Sequence, residues 1–155
     1  MRTLKTLAWF VAAALVAGLV ITLPPGIFDA LAHPDPKGVV QSFLQTETAG
    51  DYDVMRRFVT KETVRIVPPN DKLPSKPKSW MAEWTRRKVQ LSDGQMSSDR
   101  ATITATAAEP LLPWLFPLSS RKSVSIVLVK EGQDWKIDLQ ATRDAAMKHP
   151  VSAGS

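Results

Sequence analysis

Two short amphipathic helices are predicted in the first polar part of the chain. After Pro34 the apolar residues recur at the helical interval until Gly50, a residue that commonly ends a helix; they are Val39, Val40, Phe43 and Leu44. Asp51 or Asp53 can then cap a second, shorter helix with an apolar stripe of Val54, Met55, Phe58 and Val59. We expect a tight turn between these helices.

The next part of the chain is predicted to form a short strand, a loop and a short helix, in that order. Thr63 to Val67 is β-branched and ends at two prolines, which predicts a short strand. A loop rich in Pro and Lys follows as far as Ser79 and is predicted to be mobile. Ser79 can cap a short helix that carries Trp80, Met81 and Trp84.

The second half of the chain has the period-two pattern of β-strands. Arg87 to Met96 and Ala101 to Ala107 predict two strands joined by a turn, and Ser123 to Lys130 predicts a third. A turn at residues 131–134 returns the chain as Trp135 to Leu139, so these residues form a hairpin. The tail, Ala141 to Ser155, is predicted to hold one or two helical turns and then fray. Helices followed by an antiparallel sheet predict an α+β fold in which the helices cover one face of a curved sheet.

The amino terminus has the pattern of an export signal. Arg2 and Lys5 precede an uncharged apolar run from Leu7 to Leu23, which is about 25 Å long as a helix and is closed by two prolines. That length is at the lower limit for a single-pass membrane anchor. Ala30 and Ala32 supply the small residues that a signal peptidase reads, which would leave a mature chain starting at His33. Retention and cleavage both stay open, and a buried core helix is a third alternative.

Charge around this segment predicts the location of the remaining residues. The cations precede the apolar run, whereas Asp29 and Asp35 follow it with only Lys37. The amino terminus is therefore expected inside the cell and the domain of residues 33–140 outside the cytoplasm, either anchored in the membrane or secreted or periplasmic. Nucleic acid is not an expected partner there.

Composition limits the chemistry that this chain can perform. The chain has 155 residues, enough for one core, and a formal charge of +5. It has no Cys and two His, so disulfides, thiol nucleophiles and thiolate zinc sites are excluded, as is a histidine-rich metal site. It also lacks the glycine-rich strings that bind nucleotide phosphates. We therefore predict neither a cofactor nor a metal.

Several short segments resemble the nuclear transport factor 2-like superfamily, in particular its small cell-envelope members in bacteria. The segments are Val39 to Leu44, Gly50 to Asp53, Asp99 to Ile103 and Gly132 to Asp138. They are turn and packing motifs, so they carry the fold and not an activity. The resemblance implies a sheet curled into a cone whose mouth can hold a ligand or an active site.

Enzymes of that superfamily, such as the ketosteroid isomerases, build an acid/base site from Asp, Tyr and His inside the cone. Here Tyr52 is predicted to lie in the turn between the helices, and His33 and His149 lie outside the predicted domain. Asp138 is on the last strand but is expected to point to solvent. We therefore predict no catalytic residue.

A basic stretch is the first candidate for a contact surface. Arg56 to Lys88 carries a charge of +7, because Glu62, Asp71 and Glu83 offset only part of ten cations, namely Arg56, Arg57, Lys61, Arg65, Lys72, Lys76, Lys78, Arg86, Arg87 and Lys88. Such a stretch either keeps a protein soluble or docks it to an anionic envelope surface or an acidic protein.

An apolar connection between two predicted strands is the second candidate for a contact surface. Prolines interrupt Glu109 to Leu118 and prevent a regular helix, yet the segment holds Leu111, Leu112, Trp114, Leu115 and Phe116. These side chains either close the mouth of the cone or contact a partner or membrane. Trp80 and Trp84 share a helical face, which is consistent with core packing or with an aromatic ligand clamp.

These observations predict a non-enzymatic extracytoplasmic accessory domain that binds a protein partner or a small apolar ligand. One alternative is a membrane-anchored assembly component of an envelope or secretion complex, since the assembly domains of type IV secretion systems share the resembled fold. The other is a small isomerase or dehydratase, which would require Tyr52 or Asp138 to face a deep pocket with a shifted pKa.

Overall fold

The fold is known from a computed structural model, which describes residues 34–69 and 79–148. In chain order the elements are α1 (Pro36–Ala49), α2 (Tyr52–Met55), two 3-10 turns (Arg56–Phe58 and Val64–Ile66), α3 (Trp80–Arg87), β1 (Gln90–Met96), β2 (Arg100–Thr106), β3 (Ser123–Glu131), β4 (Asp134–Ile137) and α4 (Leu139–Lys148). The strands form one antiparallel sheet in the order β1-β2-β3-β4, with helices packed on it. The predicted α+β class is therefore confirmed.

Local capping sets the ends of α1. The Asp35 side chain accepts a hydrogen bond from the Gly38 N–H, and Gly50 ends the helix in the left-handed conformation, with φ of 70°. The Gly50 N–H donates to the Glu47 carbonyl at 3.0 Å. Asp51 then caps α2 through the Val54 N–H. The helix pair and its tight turn are as predicted, except that α2 ends at Met55 and Val59 is extended.

One face of the sheet forms the core with α1. In the β2–β3 register Ala101 pairs with Leu128, Ile103 with Ile126 and Ala105 with Val124. All six side chains are buried together with the apolar face of α1, namely Val39, Val40, Phe43 and Leu44. The opposite face carries Thr and Ser hydroxyls. Alternation along the strands thus determines which side of the sheet faces the helix.

Helix α4 covers the part of β3 that the short strand β4 does not pair. The Val127 N–H donates to the Thr142 hydroxyl at 3.1 Å, and that hydroxyl donates to the Asp138 carbonyl. Thr142 is fully buried. The prediction of one or two turns and a frayed tail is wrong as far as Lys148, because α4 runs for ten residues and packs on β3 through its buried residues Leu139, Thr142 and Ala146. The folded part of the chain therefore continues beyond residue 140.

The predicted strand at Thr63–Val67 is also wrong. The Thr63 and Val64 amides both donate to the Thr60 carbonyl, and the hydroxyls of Thr60 and Thr63 lie 2.6 Å apart. These local bonds close a turn, and they override the weak strand preference of β-branched residues. The extended contact lies slightly earlier in the chain, where Val59 forms a parallel bridge with Ile137.

Two predicted strand ends differ from the structure. Arg87 is the last residue of α3 and not the start of a strand, because Lys88 adopts a left-handed conformation and ends the helix. Leu139 begins α4 instead of ending β4, since the Asp138 carboxylate caps α4 through the Ala141 N–H at 2.9 Å. Asp138 is half-buried in this capping position, which corrects the prediction that it points to solvent.

The predicted amino-terminal helix, the cleavage residues Ala30 and Ala32, both histidines and the loop cations Lys72, Lys76 and Lys78 lie outside the described residues. Within the described ranges we find no helix that is both long enough and apolar enough to span a membrane.

Candidate functional site

An open cavity of about 590 Å³ lies where α1, α3 and the connection between β2 and β3 meet. Its walls combine apolar proline rings with polar groups from four separate parts of the chain. The lining residues are Glu47, Thr48, Tyr52, Glu83, Arg87, Glu109, Pro110 and Pro113. A cavity of this size is within the usual range for small-molecule sites.

A buried ion pair forms part of the cavity wall. Arg87, at the end of α3, donates from Nη1 to Glu47 Oε2 in α1, and both side chains are less than a tenth exposed. The same Nη1 donates to the Thr48 hydroxyl at 2.6 Å, and Nη2 donates to the Pro110 carbonyl at 3.3 Å. Arg87 therefore links α1, α3 and the β2–β3 connection around the cavity.

A second arginine links the two carboxylates at the rim. The Arg86 guanidinium donates through one nitrogen to Glu83 and through the other to Glu109. The hydrogen bond with Glu83 and the charges of both carboxylates raise the pKa of Arg86. Glu83 and Glu109 share one cation, so the rim carries one excess negative charge.

Tyr52 is the remaining polar residue of the cavity wall. Its side chain is only 6% exposed, and its ring meets Trp114 edge to face, with the ring centroids 6.3 Å apart. Burial, together with the nearby Glu47 carboxylate, raises the pKa of Tyr52 to about 12. Tyr52 is thus a neutral phenol at physiological pH. It packs at the start of α2, close to the predicted turn position.

Burial also raises the pKa of Glu47 above its ordinary value, although the Arg87 charge and hydrogen bond act in the opposite direction. Loss of hydration outweighs these attractive contacts, because the carboxylate is almost completely removed from water. Burial of this ion pair therefore costs free energy of desolvation, and the close contacts between the two side chains, not hydration, stabilise it.

The two predicted tryptophan contacts have different surroundings. Trp84 is half-buried and packs against the core, whereas Trp80 is 38% exposed. Neither of them lines the cavity between α1 and α3. Met81, next to Trp80, is also exposed, so the first turn of α3 presents apolar surface.

The apolar connection is mostly core. Four of its side chains are buried, so of the two predicted roles contact with a partner or membrane is wrong for them; they are Leu111, Leu112, Leu115 and Phe116. Trp114 is half-buried, and its Nε1–H is buried without a hydrogen-bond partner in the described part of the chain. The fully exposed Leu118 is the apolar side chain that the segment presents to solvent.

The basic stretch does not form one uniform patch. Arg87 is buried, so its prediction as a docking residue is wrong, and Arg56 and Arg86 are paired with carboxylates. Arg56 also donates to the Pro68 carbonyl. The exposed cations of the stretch within the described residues are Arg57, Lys61, Arg65, Arg86 and Lys88.

Sequence reasoning missed the carboxylates of the cavity. Glu47 and Thr48 follow Leu44 at the helical interval, so they continue the buried face of α1, and this pattern was a usable signal. Glu83 and Glu109 gave no such signal. Their meeting at Arg86 depends on how α3 packs beside the β2–β3 connection.

The arrangement can bind but offers little for proton transfer, because its carboxylates are held by guanidinium groups. Across residues 34–69 and 79–148, no set of His, Cys, Asp and Glu side chains is grouped so that it could hold a metal ion. Comparison of the chain with family models, curated proteins and solved structures finds no significant match.

Proposed function

We propose that this chain is a non-enzymatic accessory domain that binds a small, largely apolar ligand in the cavity between α1 and α3. The observation that carries this proposal is the pairing of the charges in the cavity wall. Glu47 is held by Arg87, and Glu83 and Glu109 are held by Arg86. What remains for a ligand is proline surface and the Tyr52 phenol.

The same pairing argues against an acid/base enzyme. A general base needs an accessible lone pair and a pKa near the working pH. The pKa of Tyr52 is about 12, too high for such a base at neutral pH. Asp138 accepts a bond from the Ala141 N–H as a helix cap.

We also propose that the domain belongs to the nuclear transport factor 2-like superfamily and works outside the cytoplasm. The order of helices before an antiparallel sheet supports this assignment, and the cavity would then be the mouth of a cone.

The proposed location outside the cytoplasm rests on the charge pattern around Leu7 to Leu23. The intact mass of the protein, purified separately from membrane and soluble fractions of its host, tests it. A full-length mass in the membrane fraction indicates an anchor, whereas a mass starting at His33 indicates release.

Ligand binding is testable by protein-detected NMR, because the indole N–H signals of two tryptophans report on different places. Trp114 contacts Tyr52 at the cavity, whereas Trp135 lies on β4 beneath Lys130. Titration of the full chain with 2-acetylnaphthalene, a neutral aromatic ketone, is expected to shift the Trp114 signal in a saturable way and to leave the Trp135 signal unchanged. Equal shifts of both signals, or no shift at 1 mM, would contradict binding in the cavity.

Strand β1 favours a second candidate, an assembly component. Its residues Ser92 to Met96 are exposed on both faces, and within the described ranges no strand pairs with its outer edge. Such an edge can add a strand from another chain. Sedimentation of the full chain in detergent is expected to show self-association if this function holds, and a strict monomer would contradict it.

The exposed cations Arg57, Lys61, Arg65 and Lys88 remain predicted contacts for an anionic envelope surface or an acidic protein.

A further inference from the structure

We propose that the cavity selects neutral ligands that carry a hydrogen-bond acceptor, that the Tyr52 hydroxyl donates the bond that holds them, and that the rim excludes anions. This inference rests on the proposed ligand-binding function and names the chemical class of the ligand. Two observations carry it, namely the unused hydroxyl inside the cavity and the excess carboxylate at its rim.

The first observation is the free hydrogen-bonding capacity of Tyr52. Within the described part of the chain its hydroxyl makes no hydrogen bond, and it is not one of the buried polar atoms left without a partner, so it opens into the cavity that Tyr52 lines. The other polar groups of the wall have partners. Glu47 and Thr48 both accept hydrogen bonds from Arg87, and Glu83 and Glu109 both accept from Arg86. The phenol therefore faces the cavity with a donor that no protein group uses, and an acceptor on a ligand can bond with it.

The protonation state of Tyr52 makes it a donor. Because its pKa is raised to about 12, the phenol keeps its proton at neutral pH. It can therefore donate to a carbonyl, ether or hydroxyl oxygen. Pro110 and Pro113 line the same cavity and can pack against the apolar body of such a ligand.

The second observation is the charge balance at the rim. Arg86 compensates one of the two carboxylates, Glu83 and Glu109, and the Glu47–Arg87 pair is neutral as a unit. Each guanidinium is already paired with carboxylates, so an anionic ligand would have to compete with Glu47, Glu83 or Glu109 for a cation. It would also meet the uncompensated carboxylate, and like charges in a partly desolvated site repel strongly.

Three probes of nearly equal size separate these two effects. The probe 2-acetylnaphthalene is neutral and carries an acceptor, 2-ethylnaphthalene is neutral and lacks one, and 2-naphthoate is an anion. Their affinities for the full chain are measured from the Trp114 indole signal at neutral pH. We expect 2-acetylnaphthalene to bind about tenfold more tightly than 2-ethylnaphthalene, which corresponds to one hydrogen bond, and 2-naphthoate to bind most weakly.

Two variants assign these preferences to residues. Tyr52→Phe keeps the ring against Trp114 and removes the hydroxyl, so it is expected to abolish the difference between 2-acetylnaphthalene and 2-ethylnaphthalene while the latter binds as before. Glu109→Gln removes the excess charge and is expected to strengthen binding of 2-naphthoate alone. The unchanged neutral probe in each case shows that the variant is folded and the cavity intact.

The outcomes distinguish this inference from the proposed function. If no probe shifts the Trp114 signal, the ligand-binding function itself is wrong, and the inference fails with it. If the probes bind but Tyr52→Phe leaves the preference for 2-acetylnaphthalene unchanged, or 2-naphthoate binds as tightly as the neutral ketone, the function stands and the inference is overturned.

Discussion

Arg87 and Glu47, which are 40 residues apart in sequence, form an ion pair in the interior of the described fold. Arg87 also donates to Thr48 and to the Pro110 carbonyl, so one guanidinium joins α1, α3 and the β2–β3 connection. Because the pair also lines the cavity, its loss would change both the packing of the fold and the cavity wall.

Loss of Arg87 is expected to destabilise the fold strongly. Arg87→Met leaves the Glu47 carboxylate buried without its cation, a change that typically costs about 3–5 kcal/mol. The free energy of unfolding from urea titration measures this effect. Arg86→Met is the matched control, because it removes the neighbouring cation at the exposed rim and should have a far smaller effect. The double variant Glu47→Leu, Arg87→Met is expected to recover much of the loss, since it removes both charges. Equal losses for the two arginine variants would show that the buried pair has no special role.

The raised pKa of Glu47 gives stability a defined pH dependence. The folded state binds the Glu47 proton more tightly than the unfolded state, whose pKa is about 4.5. The contribution of this group is therefore fully present below pH 4.5 and is lost as the pH rises through the folded-state pKa. We expect the free energy of unfolding of the natural protein, minus that of Glu47→Gln, to decrease as the pH rises from 4 to 7. An increasing difference would mean that the attraction of Arg87 outweighs burial.

The only tyrosine of the chain allows a direct optical test of the cavity wall. Absorbance at 295 nm in an alkaline titration is expected to show a native midpoint for Tyr52 of about 12. In denaturant the midpoint should return to about 10. The unfolded state loses its proton first, so the stability of the fold should fall as the pH rises from 10 towards 12. A native midpoint near 10 would mean that the phenol is open to water.

Thr142 is expected to be essential for the attachment of α4 to β3. Thr142→Val keeps the side-chain volume but removes the acceptor for the Val127 N–H, a buried backbone donor. An unsatisfied group of this kind costs about 1–3 kcal/mol. Faster hydrogen exchange of the Val127 amide, together with a lower free energy of unfolding, would establish the role. Thr142→Ser retains the hydroxyl and serves as the control, and similar exchange rates in the two variants would contradict the prediction.

The amino-acid sequence by itself determined the local features of this protein. Three helix ends are set by bonds to residues within a few positions, namely those at Asp35, Gly50 and Ser79. Such caps can be identified from the sequence without knowledge of the fold. Strict alternation in β2, and the alternate residues Val124, Ile126 and Leu128 of β3, likewise indicate the buried face of the sheet. In each case the physical reason is that the interacting groups lie close together along the chain.

Tertiary structure alone decided the remaining features. Val59 pairs with Ile137 far along the chain, and Leu111 and Leu112 join the same buried cluster as α1 and the sheet. The cavity likewise exists only because Glu47, Arg87 and Pro110 converge from three distant segments. Such contacts depend on the packing of whole elements, which neither periodicity nor residue type encodes locally.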